Sequence, residues 1–262
     1  MKRAHRERLW PVALAVAALL GMATLAPAVS KDARPHGEEV ELFAGIEQKQ
    51  IEVQLIPRDD MQCRLLISNK TERPLSIKLP ASFAGVPVLA QPLFGLPANN
   101  NNNRNNNNKN NNPFQPNAKD PQRVGGGQPA ANFDIAPEAT RTLKVETVCL
   151  DHNNPTPRPT MKYEIRSMAA ATDKEGVAEI CELMGRHEMG HRVAQLAAWH
   201  LNNDLSWEAL AGLRTKQAIG TVASYSKDEI AAAKKASERA LALHKQRQEA
   251  AGKQASKNPA GS

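Results

Sequence analysis

The 262-residue sequence predicts an α+β protein: an antiparallel β-sandwich-like domain with a low-complexity insertion, followed by a small helical region. Three observations lead there. Apolar and polar residues alternate from about residue 51 to 79, and again from 143 to 149, which is the period of half-buried strands. From residue 173 the apolar period becomes helical. Between the two strand blocks lies an asparagine run with no apolar period.

The chain opens with Lys2, Arg3, Arg6 and Arg8, then an apolar run from Trp10 to about Leu20, then Ala26-Pro27-Ala28. This is the basic, apolar, small-residue order of a cleavable signal peptide over 1–28. The run is shorter than the ~20 residues that cross a bilayer. The expectation is therefore export to the periplasm, cell surface or extracellular space, with no transmembrane segment after cleavage.

The β domain is expected over 38–165. Ile51, Val53 and Leu55 alternate with Glu52 and Gln54, and Pro57-Arg58-Asp59-Asp60 is turn chemistry. Cys63, Leu65 and Ile67 share one face of a second strand, and Leu75, Ile77 and Leu79 one face of a third. Val86–Ala90 is a further short apolar run. Residues 97–130 read as a disordered Asn-, Gly- and Pro-rich insertion, with Gly125-Gly126-Gly127 counted as low complexity and 99–127 as dispensable. Leu143, Val145, Thr147 and Cys149 then alternate as a strong strand returning to the sheet, and Met161–Ile165 reads as an edge strand.

The helical region is expected over 173–216. Val177, Ile180, Cys181 and Met184 mark one helix; Val193, Leu196, Ala197 and His200 mark a second. The two sets are out of phase, and Gly185 and Gly190 lie between them, so a break is expected there. Ser206 reads as the N-cap of a short third helix. Ser226 and Glu229 form a capping box opening a basic helix over 226–251, ahead of a disordered tail over 252–262.

The formal charge of +7 is unevenly placed: +3 in residues 1–28, +4 in 226–262, and none net between. With aromatics at only 4%, this is no footprint for nucleic acid.

His187-Glu188-Met189-Gly190-His191 matches H-E-x-x-H, in which two histidines on one helical turn bind zinc and the glutamate serves as general base. As a zinc hydrolase, the chain would use His187, His191 and Glu208 as metal ligands and Glu188 as the catalytic residue. Against this, Ala194 and Ala197 occupy the positions of a metzincin's Gly and third His, Glu208 lies beyond a loop, and the phase slip breaks the turn. The expectation is thus a non-enzymatic structural or binding protein with no cofactor; the zinc hydrolase is the alternative. Cys149 and His152 invite a nucleophile reading, but two positions three apart at a strand end are poorly placed for it. His200, Trp199 and Trp207 read as packing residues.

Three cysteines in an exported chain allow Cys63–Cys149, Cys63–Cys181 or Cys149–Cys181. The last is the expected disulfide, clipping the first helix onto the sheet.

Three stretches, 69–91 (NKTERPLSIKLPASFAGVPVLAQ), 147–159 (TVCLDHNNPTPRP) and 192–210 (RVAQLAAWHLNNDLSWEAL), resemble a group of uncharacterised exported proteins of planctomycete-type bacteria. The resemblance spans most of the mature chain and includes a Gly- or Asn-rich block in the place of 99–127. It implies export; an unidentified envelope or extracellular partner is a separate expectation. It implies no activity, and it places a variable interhelical loop at 187–191.

Overall fold

A computed structural model describes residues 37–88, 120–129, 132–218 and 220–257. The expected signal peptide, the asparagine run and the last five residues lie outside the described residues.

The first block comprises β1 (Glu38–Glu41), helix α1 (Leu42–Glu47), β2 (Ile51–Pro57), β3 (Gln62–Asn69), β4 (Leu75–Lys78) and β5 (Ser82–Pro87). After the undescribed stretch come β6 (Val124–Gly127), β7 (Asn132–Ile135), β8 (Thr140–Cys149) and β9 (Tyr163–Arg166). Then follow α2 (Met168–Ala171), α3 (Val177–Gly185), α4 (His191–Asn203), α5 (Trp207–Ala211), the hairpin β10 (Arg214–Gln217) and β11 (Gly220–Ala223), and α6 (Lys227–Lys257).

The protein is mixed α+β, but its main sheet is a barrel where a sandwich-like pair of layers was expected. Strands β2-β3-β8-β6-β5-β9 close on themselves, and every pairing is antiparallel. Closure rests on one bridge, Leu55 to Tyr163. A separate small sheet, β1-β4-β7, includes a parallel pair, β1 with β4. Alternation alone cannot separate these architectures, because barrels and sandwiches both present one apolar face per strand.

Two cores result. Inside the barrel and under the small sheet, Leu55, Cys63, Leu65, Ile67, Ile77, Phe83, Val124 and Val145 pack together. On the barrel's outer face, Ala84, Val148 and Leu150 meet Ile180, Cys181, Met184, Leu196 and Ala197 from the helices. Strand β8 serves both: Val145 faces inward, Val148 faces the helices.

The strand β6 corrects the reading of 97–130 as one disordered insertion. Val124–Gly127 pairs with β5 on one side and β8 on the other, and all four residues are buried. Its glycines have a packing reason. A Cβ on Gly126 would stand 2.5 Å from the Phe83 ring, and one on Gly127 would stand 1.6 Å from the Cys181 carbonyl oxygen. Only a strand without side chains lets α3 sit this close to the barrel.

Helix α3 ends at Gly185, and α4 starts at His191, capped by Gly190. Ser206 accepts a bond from Ala209 N at the start of α5. Ser226 and Glu229 exchange the two bonds of a capping box at α6. Helix α6 buries Ile230, Ala233, Ala236 and Ala240 against the bundle. Farther along it, Arg247 donates to the buried Glu179 and Glu182 of α3, at 3.1 Å and at 2.9 and 2.6 Å. The helix continues to Lys257, so the first part of the expected tail is helical. The region expected to be helical to residue 216 ends instead in the β10–β11 hairpin, whose residues are exposed.

Candidate functional site

The segment joining β8 to β9 is held by polar side chains of α4. Gln195 places both ends of its amide on one residue: Cys149 N donates to Oε1 at 2.8 Å, and Nε2 donates to the Cys149 carbonyl at 2.8 Å. Asn202 Nδ2 donates to the Leu150 carbonyl at 2.7 Å, and His152 N donates to Asn203 Oδ1 at 3.0 Å. Between them Asp151, 4% exposed, forms a buried pair with Arg123, 7% exposed. Arg123 N, Nε and Nη2 all donate to that carboxylate, over 2.5–3.1 Å, and Nη1 donates to the Ala171 carbonyl. These bonds fix α4 against the end of the barrel, since buried charges and amides are tolerated only when paired.

A cavity of about 380 Å³ opens beside this anchor. One stripe of α4 faces it, His191, Gln195 and Trp199, at successive four-residue steps. Cys149, His152, Asn153 and Asn154 contribute from the end of β8 and its connector. Asp60 and Met61 come from the β2–β3 turn, Gln122 precedes β6, and Arg192 and Tyr225 close the side next to α6.

Most of its reactive groups are committed. Cys149 is unionised, its thiol pushed up to about 12 by burial and then by the Asp60 and Asp151 carboxylates. His191 Nε2 lies 2.9 Å from the Thr147 carbonyl. His152 packs edge-on against Trp199, ring centroids 4.7 Å apart, and its burial lowers its pKa and favours the neutral ring. Arg192 lies over the Tyr225 ring at 4.6 Å, bonds Glu229 at 2.5 and 3.1 Å, and donates to the Ser224 carbonyl at 2.5 Å. Behind the lining, Gln122 Oε1 and Trp199 Nε1 are buried polar atoms without a hydrogen-bond partner among the described residues.

The zinc-motif residues are not brought together. His187 is exposed, follows the end of α3, and has a φ of 58°. Its N–H donates to the Met184 carbonyl at 2.8 Å, and Glu188 N donates to the Leu183 carbonyl at 2.9 Å. That pair of bonds is a Schellman motif with His187 in the left-handed position. His191 begins the next helix, so the two histidines do not share a helical turn. Glu188 pairs with Arg186 at 2.7 Å and with Arg239. Glu208 is exposed on α5. Among the described residues no group of three His, Cys, Asp or Glu side chains is placed to hold a metal.

The expected Cys149–Cys181 bond is not formed: Cys63, Cys149 and Cys181 are all free and buried. Strand alternation gives the reason. Val148 and Leu150 face the helices with Cys181, so Cys149 points to the opposite side of β8. The Cys63–Cys149 alternative is also unmade. Cys63 pairs in register with Val145, four residues from Cys149, which along a strand is roughly 13 Å and beyond the ~7 Å Cα limit of a disulfide.

Of the residues the sequence singled out, Cys149, His152, His191 and Trp199 meet at the cavity, while His187, Glu188 and Glu208 do not line it. Gln122, Gln195 and Asp60 escaped sequence reasoning. Gln122 lay in the supposed insertion, and an amide on a helix carries no motif. Among the described residues no helix is long and apolar enough to cross a membrane. No protein-family model, no curated protein and no solved structure matches the chain.

Proposed function

We propose that the chain is an exported, non-enzymatic binding protein of the periplasm or cell envelope, and that it holds a small polar molecule in the cavity beside Cys149. The signal-peptide pattern and the resemblance to exported planctomycete-type proteins support the location. One observation supports the binding reading: the cavity of about 380 Å³ at the end of the barrel is walled by the polar side chains of His152, Asn153, Asn154, His191 and Gln195 together with the Trp199 ring. A concave site that combines aromatic surface with a few convergent polar groups is what a small polar ligand requires. The committed state of Cys149 and His191 favours binding over nucleophilic chemistry.

The test is a thermal-shift screen of the mature protein against small polar molecules, repeated on Trp199→Ala, which removes an aromatic ring from the cavity wall. Ligands that raise the melting temperature of the parent, and do so less in the variant, are expected. A screen without a single such ligand, or peptidase activity that appears with zinc and vanishes in His191→Ala, overturns the reading. Cell fractionation decides the location.

A further inference from the structure

We infer that a groove across the outer face of β5, β9 and β2 is the docking surface for residues 89–96 of the same chain. The groove shares no lining residue with the cavity beside Cys149, and the inference is independent of the binding reading.

The groove, of about 610 Å³, lies where the barrel ladder is thinnest. Strands β2 and β9 meet at one pair, Leu55 with Tyr163, whereas β5 and β9 pair from Ala84 to Pro87. Leu55, Tyr163 and Ile165 are buried in the barrel core, so by alternation Gln54, Ile56, Lys162 and Glu164 face outward. The Val88 N–H donates to the Lys162 carbonyl at 2.9 Å, which carries the end of β5 into the groove. Val88, Ile56 and Met161 belong to its apolar lining, and Lys162 and Glu164 are its charged members. Val88 is 53% exposed, more than any other large apolar side chain among the described residues.

The chain that leaves the groove indicates the occupant. Strands β5 and β6 pair with Gly85 opposite Val124, a join for which a loop of about two to five residues suffices. Residues 89–119 stand in its place. They are of two kinds. From residue 99 asparagine dominates, whereas Leu89, Ala90, Leu93, Phe94 and Leu96 make 89–96 predominantly apolar. No charged residue occurs from Val86 to Asn103, so the segment brings no charge that would need desolvation against an apolar lining. Its burial removes apolar area from water on both sides. The reach is sufficient. Crossing from β5 over β9 to β2 takes two strand spacings, roughly 10 Å, and residues 89–96 can extend to about 27 Å. The segment is also tethered at the edge of the groove. That gives it a local concentration on the order of millimolar, above that of a free partner or a second copy.

Photo-cross-linking of the mature full-length chain tests this, with p-benzoylphenylalanine in place of Phe94 and, as the control, in place of Asn105. Position 94 is expected to cross-link to residues 53–56 or 159–164 within one monomer, read by peptide mapping, and position 105 is not. Ile56→Asp puts a carboxylate into the apolar lining and is expected to bring the yield from position 94 down to that of the control. Val88→Asp, at a side chain already half in solvent, does the same should Ile56→Asp fail to fold. Cross-links that join two copies assign the groove to a second copy's segment and overturn the own-chain assignment. Equal yields from positions 94 and 105, a yield unchanged in the folded Asp variants, or no cross-link to the groove overturns the docking itself.

Discussion

Helix α3 meets glycine at both ends of its packing, and the two encounters differ in kind. Along its body it rests on Gly125–Gly127 of β6, where an added Cβ on Gly127 would lie 1.6 Å from the Cys181 oxygen. Gly185 on the helix is equally confined, its Cβ position 2.1 Å from Gln128 N. Five residues later, Gly190 has nothing within 4 Å of that position. The first set of glycines exists for close approach of backbone to backbone. The last serves a chain reversal between helices, with solvent around it. Glycine thus marks the tightest and the loosest parts of the same helical layer, and only the neighbours tell which.

The harshest way to break that contrast is to remove β6. Deleting 99–127 takes out a strand bonded on both sides and leaves β5 and β8 with unpaired edges inside the barrel. The expected outcome is loss of soluble folded protein, read by circular dichroism and size-exclusion chromatography. A deletion variant that melts cooperatively near the parent temperature would show that β6 is not part of the fold.

Single substitutions sharpen the contrast. Gly127→Ala must push a backbone carbonyl aside and is expected to cost more than about 3 kcal/mol in urea unfolding. Gly190→Ala meets open space at an extended N-cap with φ of −75° and is expected to stay within about 1 kcal/mol of the parent. Equal effects at the two positions would sink the distinction.

The same contrast explains what was legible in the sequence. Strands β2, β3, β4 and β8 announced themselves by the alternation of their residue types, and the helices by period and caps; in β2, β3 and the first part of β8 one face is buried and the other is wet. Strand β6 could not announce itself. Its side-chain signal is absent because the packing requires its absence, and its neighbour in sequence is a real low-complexity run. Barrel closure was equally hidden, since it depends on which edges meet and not on any strand's own pattern. At the site, Cys149, His152 and Trp199 were visible as residue types. Gln195 was not, because its role is to mimic a strand's hydrogen bonds from a helix. The H-E-x-x-H match was conspicuous, but local backbone geometry gave its first histidine another task.

Acid probes the outer end of this layer, where Arg192 of α4 grips Glu229 of α6. The Glu229 pKa is lowered to about 2, first by the Arg192 hydrogen bond and then by the Ser226 backbone N–H. A carboxyl held below its unfolded value of about 4.3 contributes stability that is fully present above that pH. The contribution fades as pH falls toward 2. Between pH 4.5 and 2 the parent should therefore lose more melting temperature than Glu229→Gln, which has no such proton to take up. Parallel curves for the two proteins over that window would show that the pair adds nothing to the docking of α6.

The smallest expected effect lies in the turn itself, and its sign is what matters. His187 sits at φ 58°, in the position of a Schellman motif that glycine normally fills. A side chain there bears a steric cost of about 1–2 kcal/mol, partly offset by the greater freedom glycine has when unfolded. His187→Gly removes the Cβ and keeps both capping bonds, His187 N to the Met184 carbonyl and Glu188 N to the Leu183 carbonyl, which use only backbone atoms. The variant is expected to be more stable than the parent by about 0.5–1 kcal/mol, measured by urea unfolding. A zinc ligand would behave in the opposite way: its removal would lower the melting temperature, and adding zinc would raise the parent's alone. A helix running unbroken through Gly190 would also be weakened by a new glycine, by about 1 kcal/mol. Stabilisation without any response to zinc therefore separates a capping residue from both alternatives.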